Sequence, residues 1–291
     1  MVKTLSELYR ETRQILSKTE DPQTAAFYAR NLMCHVTGKP VEWIIAQGNT
    51  SADDKTALTL KRALDRIQAG EPLAYVLGEW DFYGMRLNVN SNVLIPRDDT
   101  CAVTDLAISQ ALFLNNNPRI LDLCTGSGCI GLAIASRVPD AKVTLADISK
   151  DALAVAKSNV TLHKLSARVA CYPVDALKEP DGFLGKFDMI VSNPPYITSE
   201  EMQDLAKSVK DYEPHLALHG GEDGLVFYRS IADKFRSALK PGGYLCFEFG
   251  MGQGDDVCQI LENLGYTILE RTKDYNDRER AVLARYDRKE D

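Results

Sequence analysis

The sequence predicts an α/β protein, a mostly parallel seven-stranded sheet covered by helices on both faces, preceded by a small helical domain. Three observations carry this expectation. From about residue 98 onward, short apolar runs alternate with helical stretches. Those runs are nearly continuous in apolar residues, as strands buried on both faces are. The first seventy residues read instead as short helices with clear start and stop signals. The expected division is 1–70 as a helical bundle, 71–97 as a β-hairpin linker and 98–291 as the α/β domain.

Within the bundle, Thr4-Leu5-Ser6-Glu7 is a capping box in which hydroxyl and carboxylate each satisfy an orphan amide. Leu5, Leu8, Ile15 and Leu16 form the apolar stripe behind it. Asp21-Pro22 opens a second helix that stops near Gly38. A short helix spans Pro40 to Gln47, and Ser51-Ala52-Asp53-Asp54 opens a longer one ending around Gly70. No catalytic constellation lies among them, so the bundle reads as a docking surface. Residues 71–97 are rich in aromatic and β-branched residues, with turn signals at Gly78, Gly84 and Asn90-Ser91-Asn92.

Strands are then expected at Arg119–Cys124, Lys142–Ile148, Arg168–Val174, Phe187–Ser192 and Tyr244–Gly250. Helices are expected at Cys129–Arg137, Ser149–Lys164, Ser199–Lys207 and Asp223–Leu239. Tyr266–Arg271 and Ala281–Tyr286, joined by a short charged turn, suit an antiparallel final pair.

Composition narrows the function classes. With 34 Lys and Arg against 41 Asp and Glu, the formal charge is −7, which argues against binding nucleic acid mainly by phosphate neutralisation. The seven cysteines form no Cys-x-x-Cys pair, and the four histidines add no zinc-ligand spacing, so no metal site is expected. Free thiols, a charged N-terminal stretch without a signal-peptide core and no long uncharged apolar run together predict a cytoplasmic chain with no membrane span.

The first chemical constellation is Leu121-Asp122-Leu123-Cys124-Thr125-Gly126-Ser127-Gly128-Cys129-Ile130-Gly131, which follows a strand and opens a helix. Its glycines let the backbone turn tightly and approach a ligand, although a plain strand-to-helix turn has the same spacing. Asp147 ends the next strand, 21 residues beyond Gly126, where a carboxylate can accept both hydroxyls of a ribose. Asp175-Ala176 ends the third strand, the place for an adenine-edge contact. The loop alone does not separate a nicotinamide enzyme from one using S-adenosylmethionine.

The fourth strand does, because it runs directly into Asn193-Pro194-Pro195-Tyr196. A proline turn ending a strand would explain the prolines and leave Asn193 and Tyr196 idle. A planar nitrogen is a poor nucleophile because its lone pair is delocalised. Asn193 Oδ1 and the Pro194 carbonyl can each accept one N–H and localise that lone pair, while the rigid backbone holds the carbonyl in place. The Tyr196 ring can lie against the substrate's planar group.

The glycine loop, Asp147 and the Asn-Pro-Pro-Tyr motif together resemble the class I methyltransferases that act on planar nitrogen. The resemblance narrows to the release-factor glutamine methyltransferases, which modify the Gly-Gly-Gln motif of peptide chain release factors. It covers nearly the whole chain, through 71–75 and 78–84, Val93-Leu94-Ile95-Pro96-Arg97, Tyr212-Glu213-Pro214, 220–225, Pro241-Gly242-Gly243 and Phe247-Glu248-Phe249-Gly250. One departure is Asp98-Asp99-Thr100-Cys101 where the family typically continues Pro-Glu-Thr-Glu, so Cys101 stands in place of a carboxylate. The segment around Arg278-Glu279-Arg280 is also looser than the family's usual turn, with Arg280 kept.

The resemblance implies a Rossmann-like class I methyltransferase fold with the helical domain as substrate-docking element. It implies that Cys124, Thr125, Gly126, Ser127 and Gly128 cradle the methionine part of S-adenosylmethionine, Asp147 holds the ribose, and Asp175 and Ala176 border the adenine. It further implies that Asn193 touches both cofactor and substrate, and that Pro194, Pro195 and Tyr196 bind the glutamine amide. Asp122 is a further candidate, and Phe82 and Arg97 are expected to close the crevice from the linker side. The implied reaction is in-line methyl transfer to N5 of glutamine, leaving S-adenosylhomocysteine, by a monomer that modifies release factors and binds no nucleic acid directly.

Four rival readings account for part of the pattern. A ribosomal-protein glutamine methyltransferase shares the motif chemistry but generally differs in its N-terminal region. A nucleic-acid base N-methyltransferase normally needs a target-recognition domain or a basic groove. A nicotinamide oxidoreductase leaves the Asn-Pro-Pro-Tyr motif without a role, and a non-catalytic binding module leaves both motifs without one.

Overall fold

The computed structural model describes residues 3–114 and 117–287. The chain divides into two compact units, Met1–Gly78 with Lys207–Tyr212, and Glu79–Ala206 with Glu213–Asp291.

The first unit is built from α1 (Leu5–Leu16), α2 (Pro22–Thr37), α3 (Val41–Ala46), α4 (Asp54–Gln68) and α5 (Leu73–Leu77). Their starts are where the capping residues stand. Thr4 and Glu7 close the reciprocal box, with Thr4 N donating to Glu7 Oε2 at 2.8 Å and Glu7 N to Thr4 Oγ1 at 3.2 Å. Asp21 caps α2, and Asp53 caps α4 by accepting from Thr56 N at 2.6 Å. Gly38, at φ 63°, ends α2 in the left-handed region that favours glycine. Leu5, Leu8, Leu16, Ala25, Leu32, Met33 and Leu60 are buried between these helices. The Lys207–Tyr212 helix belongs to this unit, and Tyr212 Oη donates to Ala69 O at 2.9 Å.

The expected 71–97 hairpin is shorter than its composition suggested. Leu73–Leu77 is helical, started at Pro72 and stopped by Gly78 at φ 75°. Its residues Leu73 to Val76 are all buried, so no amphipathic period is visible in the sequence. The hairpin itself is β1 (Glu79–Phe82) against β2 (Met85–Asn88), turning at Tyr83-Gly84, both at positive φ.

The second unit then adds α6 (Cys101–Phe113), β3 (Arg119–Leu123), α7 (Cys129–Arg137), β4 (Lys142–Asp147), α8 (Lys150–Leu162), β5 (Val169–Pro173) and β6 (Phe187–Ser192). After α9 (Lys207–Tyr212) come α10 (Val226–Lys234), β7 (Leu239–Glu248), α11 (Gly254–Asn263), β8 (Tyr266–Lys273) and β9 (Glu279–Tyr286). The sheet order is β5-β4-β3-β6-β7-β9-β8, parallel except for β9, which runs antiparallel to β7 and β8. This is the seven-stranded, mostly parallel sheet with an antiparallel final pair that the strand pattern predicted. Apolar clusters cover its two faces, one including Val103, Ile134 and Val191, the other Leu121, Ile190 and Phe247.

Three helices depart from expectation. The sequence marks no helix at 101–113, because the exposed face of α6 carries Leu112 and Phe113 beside Asp105 and Ser109, so apolar and polar residues do not separate into two stripes. The expected Ser199–Lys207 helix is a single 3₁₀ turn, Glu201–Gln203, closed by a reciprocal bond pair between Thr198 and Glu201. The expected Asp223–Leu239 helix is α10 followed by a 3₁₀ turn at Phe235–Ala238.

Candidate active site

In an open α/β sheet, ligands bind outside the carboxyl ends of the strands, where the strand order reverses. Here the reversal falls between β3 and β6, whose last residues Leu123 and Ser192 are register partners. The glycine loop leaves β3 and Asn193 leaves β6, so topology places the two motifs side by side. Ser192 Oγ donates to Leu123 O at 2.5 Å and ties the two strand ends together.

Cys124, Gly126 and Gly128 adopt φ of 61°, 54° and 85°, so the loop turns sharply in three steps. Gly131 serves a different purpose, since a Cβ there would lie 2.3 Å from Leu145 Cδ2 and 2.9 Å from Asp122 Oδ2. Its bare backbone lets α7 approach β3 and β4 closely. Asp122 is buried beneath the loop, and its Oδ2 accepts from Thr125 Oγ1 at 2.6 Å and Gly131 N at 2.8 Å. It does not line the cleft, so this candidate is a brace for the loop rather than a ligand contact. Asn159, also buried, braces the loop from the other side. Its Nδ2 donates to Ser127 O at 2.9 Å and to Asn88 O at 3.0 Å, joining the loop to the hairpin.

Burial pushes the Asp122 carboxyl up to about 7, against the pull of its bonds to Thr125 and Gly131. The folded state therefore holds a proton that the unfolded chain has released, and stability falls as pH rises from about 4 through about 7. Asp122→Asn is spared that cost. Its stability relative to wild type should increase across this window by a few kcal/mol, since each tenfold change in proton affinity is worth about 1.4 kcal/mol. Urea titrations of both proteins at pH 5 and pH 8 would check it, and a difference independent of pH would refute it.

Asp147, at the end of β4, accepts from Gly126 N through Oδ2 and from Ser149 N through Oδ1, each at 2.9 Å. Burial raises its pKa against those bonds. It lines the cleft together with Cys124, Thr125, Gly126, Ser127, Asp175 and Ala176. Asp175 is held by Leu177 N at 2.9 Å, which lowers its pKa, and by Lys178 at 3.1 Å. Beside it, Val174, Ile148, Leu177 and Phe227 give the cleft an apolar end suited to a flat base.

Asn193 and Pro195 line the cleft, whereas Pro194 and Tyr196 stand outside its lining. The Asn193 amide donates through Nδ2 to Thr100 Oγ1 at 3.3 Å. The motif's backbone is clamped from behind. Ile197 N donates to Leu218 O at 2.9 Å, Gly220 N to Ile197 O at 2.8 Å, and Gln253 Nε2 to Tyr196 O at 3.0 Å. Burial pushes the Tyr196 phenol up to about 12, so it stays neutral.

On the linker side the two expected residues part. Arg97 lines the cleft and pairs with the buried Glu213 carboxylate, whose Oε2 also accepts from Ile95 N at 3.3 Å. Phe82 does not close the crevice. Its alternate position in β1 turns it into the core with Leu87, Val103 and Leu106, a direction set by packing rather than by residue type. Asn92, Val93, Leu94, Pro96 and Thr100 line the cleft instead. Sequence reasoning marks none of these individually, and the Val93–Arg97 run is the signal that could have found them.

The cleft can be tested for fit to S-adenosylmethionine. Gly126 faces open space, so the loop leaves room for a ligand's chain. Ser127 Oγ is buried without a hydrogen-bond partner, as expected of a group that a polar ligand completes. Asp147 sits where ribose hydroxyls can donate to its carboxylate, and the apolar end suits adenine. The residues present fit the group. Among the described residues, no His, Cys, Asp and Glu cluster has metal-holding geometry, and no helix is long and apolar enough to cross a membrane.

Comparison with known proteins agrees with this fold. The family model described as "PrmC N-terminal domain" matches residues 7–78, and that described as "Methyltransferase small domain" matches 104–244. The chain is 38% identical over 276 residues to a release factor glutamine methyltransferase of Clostridium acetobutylicum, covering 93% of this chain and 94% of that protein. It is 36% identical over 282 residues to a protein of the same name from Haemophilus influenzae, covering 92% and 94%. Among solved structures, the hMettl16 catalytic domain in complex with the MAT2A 3′UTR hairpin 6 superposes with a TM-score of 0.56 at 14% identity. It covers 82% of this chain and 84% of that one, a likeness of fold alone.

Proposed function

Because this chain belongs to the release factor glutamine methyltransferase family, we propose that it methylates N5 of the glutamine in the Gly-Gly-Gln motif of peptide chain release factors. The observation that carries the reading is the placement of Asn193 beside the glycine loop at the point where the strand order reverses. When bound, S-adenosylmethionine would supply an electrophilic sulfonium methyl: the glutamine nitrogen bonds to that carbon as its bond to sulfur breaks, S-adenosylhomocysteine leaves, and one amide proton passes to water.

The chain's own residues do the rest. Cys124 to Gly128 would hold the methionine part, Asp147 would accept from the ribose hydroxyls, and Asp175 and Ala176 would border the adenine. Asn193 Oδ1 and the Pro194 carbonyl each accept a hydrogen bond from one N–H of the substrate amide, which localises the nitrogen lone pair and aims it. Pro195 and Tyr196 hold that backbone and the amide plane. Arg97, fixed by Glu213, guards the cleft mouth. The helical unit serves as the docking surface for the release factor. The enzyme acts as a monomer in the cytoplasm, where its seven cysteines stay reduced.

Incubating the protein with release factor and methyl-labelled S-adenosylmethionine, then locating the label by mass spectrometry, tests the reading. Label on the Gly-Gly-Gln glutamine is expected; label on a ribosomal protein or on nucleic acid alone would replace it. Asp147→Ala should weaken S-adenosylmethionine binding by about 10- to 100-fold, the loss of one or two hydrogen bonds to a charged acceptor at about 1.5–3 kcal/mol. Calorimetry would read this directly, and unchanged affinity would remove Asp147 from the ribose site.

A further inference from the structure

The last strand residue before the Phe249-Gly250 turn is a buried carboxylate with no role in the mechanism above. Glu248 ends β7, whose preceding residue Phe247 is the register partner of Ser192, so Glu248 follows Phe247 as Asn193 follows Ser192. It is 2% exposed, does not line the cleft, and its Oε2 has no hydrogen-bond partner. Thr100 and Asn193 act on its carboxyl, each pulling its pKa down against burial. Thr100 is itself buried and accepts from Asn193 Nδ2 at 3.3 Å. The turn that carries Thr100 is tied to β9, where Arg280 pairs with Asp99 at 3.0 Å and with Asp274 at 3.1 Å.

We propose that Glu248, acting with Thr100, is the positioning residue that sets the orientation of the Asn193 amide. An ionised carboxylate only accepts hydrogen bonds. Next to it the amide must present Nδ2, and Oδ1 is then left to face the substrate. The Thr100 hydroxyl completes the arrangement by accepting from Asn193 and donating toward Glu248. An asparagine has no intrinsic preference between its two amide orientations, so the orientation that the chemistry needs has to come from its surroundings. A protonated Glu248 becomes a donor, which favours the flipped amide with its oxygen turned inward. Burial pushes the Glu248 pKa up to about 7, so this switch lies within reach of ordinary buffers. Among the described residues, the titratable or charged groups that act on Glu248, or on which it acts, include Asp99, Cys101, Cys129, Tyr196, Tyr228 and Arg280.

The inference rests on the methyl-transfer reading and is tested on the full chain. Glu248→Gln, close in shape, should keep the fold and its S-adenosylmethionine affinity. It should lower kcat by about 10- to 100-fold, the scale of losing orientation at the reacting atoms, with KM for the release factor little changed. Wild type should lose rate as pH falls through about 7, and the variant should lack that acid limb. Thr100→Val, which keeps the volume and removes the acceptor, should lower kcat in the same way. Either folded variant with wild-type kcat and an intact acid limb would overturn the proposal. A measurement on the wild type alone guards against variants that fail to fold. The Asn193 side-chain NH₂ resonances, identified by their loss in Asn193→Ala, should titrate with a midpoint near 7, and resonances that do not move would also overturn it. If wild type labels no release factor, the proposed function fails, while the resonances still decide this inference.

Discussion

Asn193→Ala is expected to lower methyl transfer to the release-factor glutamine by about 100- to 1000-fold, the cost of removing one preorganised hydrogen-bonding group from a reacting centre. The substrate nitrogen is held out of reactivity by amide resonance, and Asn193 is the cleft residue whose side-chain amide stands at the end of β6, beside the strand that carries the glycine loop. Alanine leaves the backbone of the motif clamped by Gly220 and Gln253, so the fold should persist. Thr100 Oγ1 loses one donor, a small cost beside the kinetic one. Initial rates by mass spectrometry, with a thermal melt as control for folding, read the effect. Wild-type rates would remove Asn193 from the mechanism.

Gly224→Ala should be among the most damaging single-methyl additions in the second unit. The residue sits at φ 71°, and a Cβ there would lie 2.3 Å from Tyr196 O and 2.5 Å from Gln253 Nε2. Neither atom is free to move, because Gln253 Nε2 donates to Tyr196 O while its Oε1 accepts from Gly250 N at 2.9 Å. A left-handed L-residue costs about 1–2 kcal/mol and overpacking about 1–3 kcal/mol. A total near 3 kcal/mol corresponds to a fall in Tm of about 6–12 °C. The folded fraction should also be slow, since the displaced atoms belong to the motif that carries Asn193. Gly242→Ala is the control, because Gly242 has φ 70° and open space where its Cβ would stand. It should cost only the conformational part, about 1–2 kcal/mol. Equal losses in the two variants would show that the clash at Tyr196 is absorbed.

Glu248 adds a contrast between stability and activity. Its carboxyl is held ionised above pH 7 in a buried place, which costs folding free energy there, and glutamine would be spared that cost. A variant that is more stable at pH 8 and yet slower is therefore the expected pairing. Functional sites commonly retain such unfavourable groups.

The elements that were readable in advance are those whose signals are local. The capping box at Thr4 and the N-cap at Asp21 act within one helical turn, and the glycine loop and the Asn193–Tyr196 motif are contiguous runs of adjacent residues. Where the signal was not local, expectation and structure diverged. Helix α6 turns Leu112 and Phe113 to solvent beside Asp105 and Ser109, so its hydrophobicity shows no period. Residues 73–77 read as strand because short, wholly buried helices and strands share a composition.

The sequence by itself determined the alternation of strands and helices, the antiparallel final pair, and the places of the glycine loop and the Asn193–Tyr196 motif at strand ends. Each depends on backbone preferences and side-chain chemistry that act over a few residues. Only the tertiary structure decided which distant residues meet. Leu123 and Ser192, 69 residues apart, become neighbours through strand order, and Arg97 finds Glu213 across 116 residues. Phe82 turned into the core and Glu248 turned toward Asn193 for the same reason. The direction a side chain faces, and the partner it meets there, are set by non-local packing of both sheet faces, to which no local period corresponds.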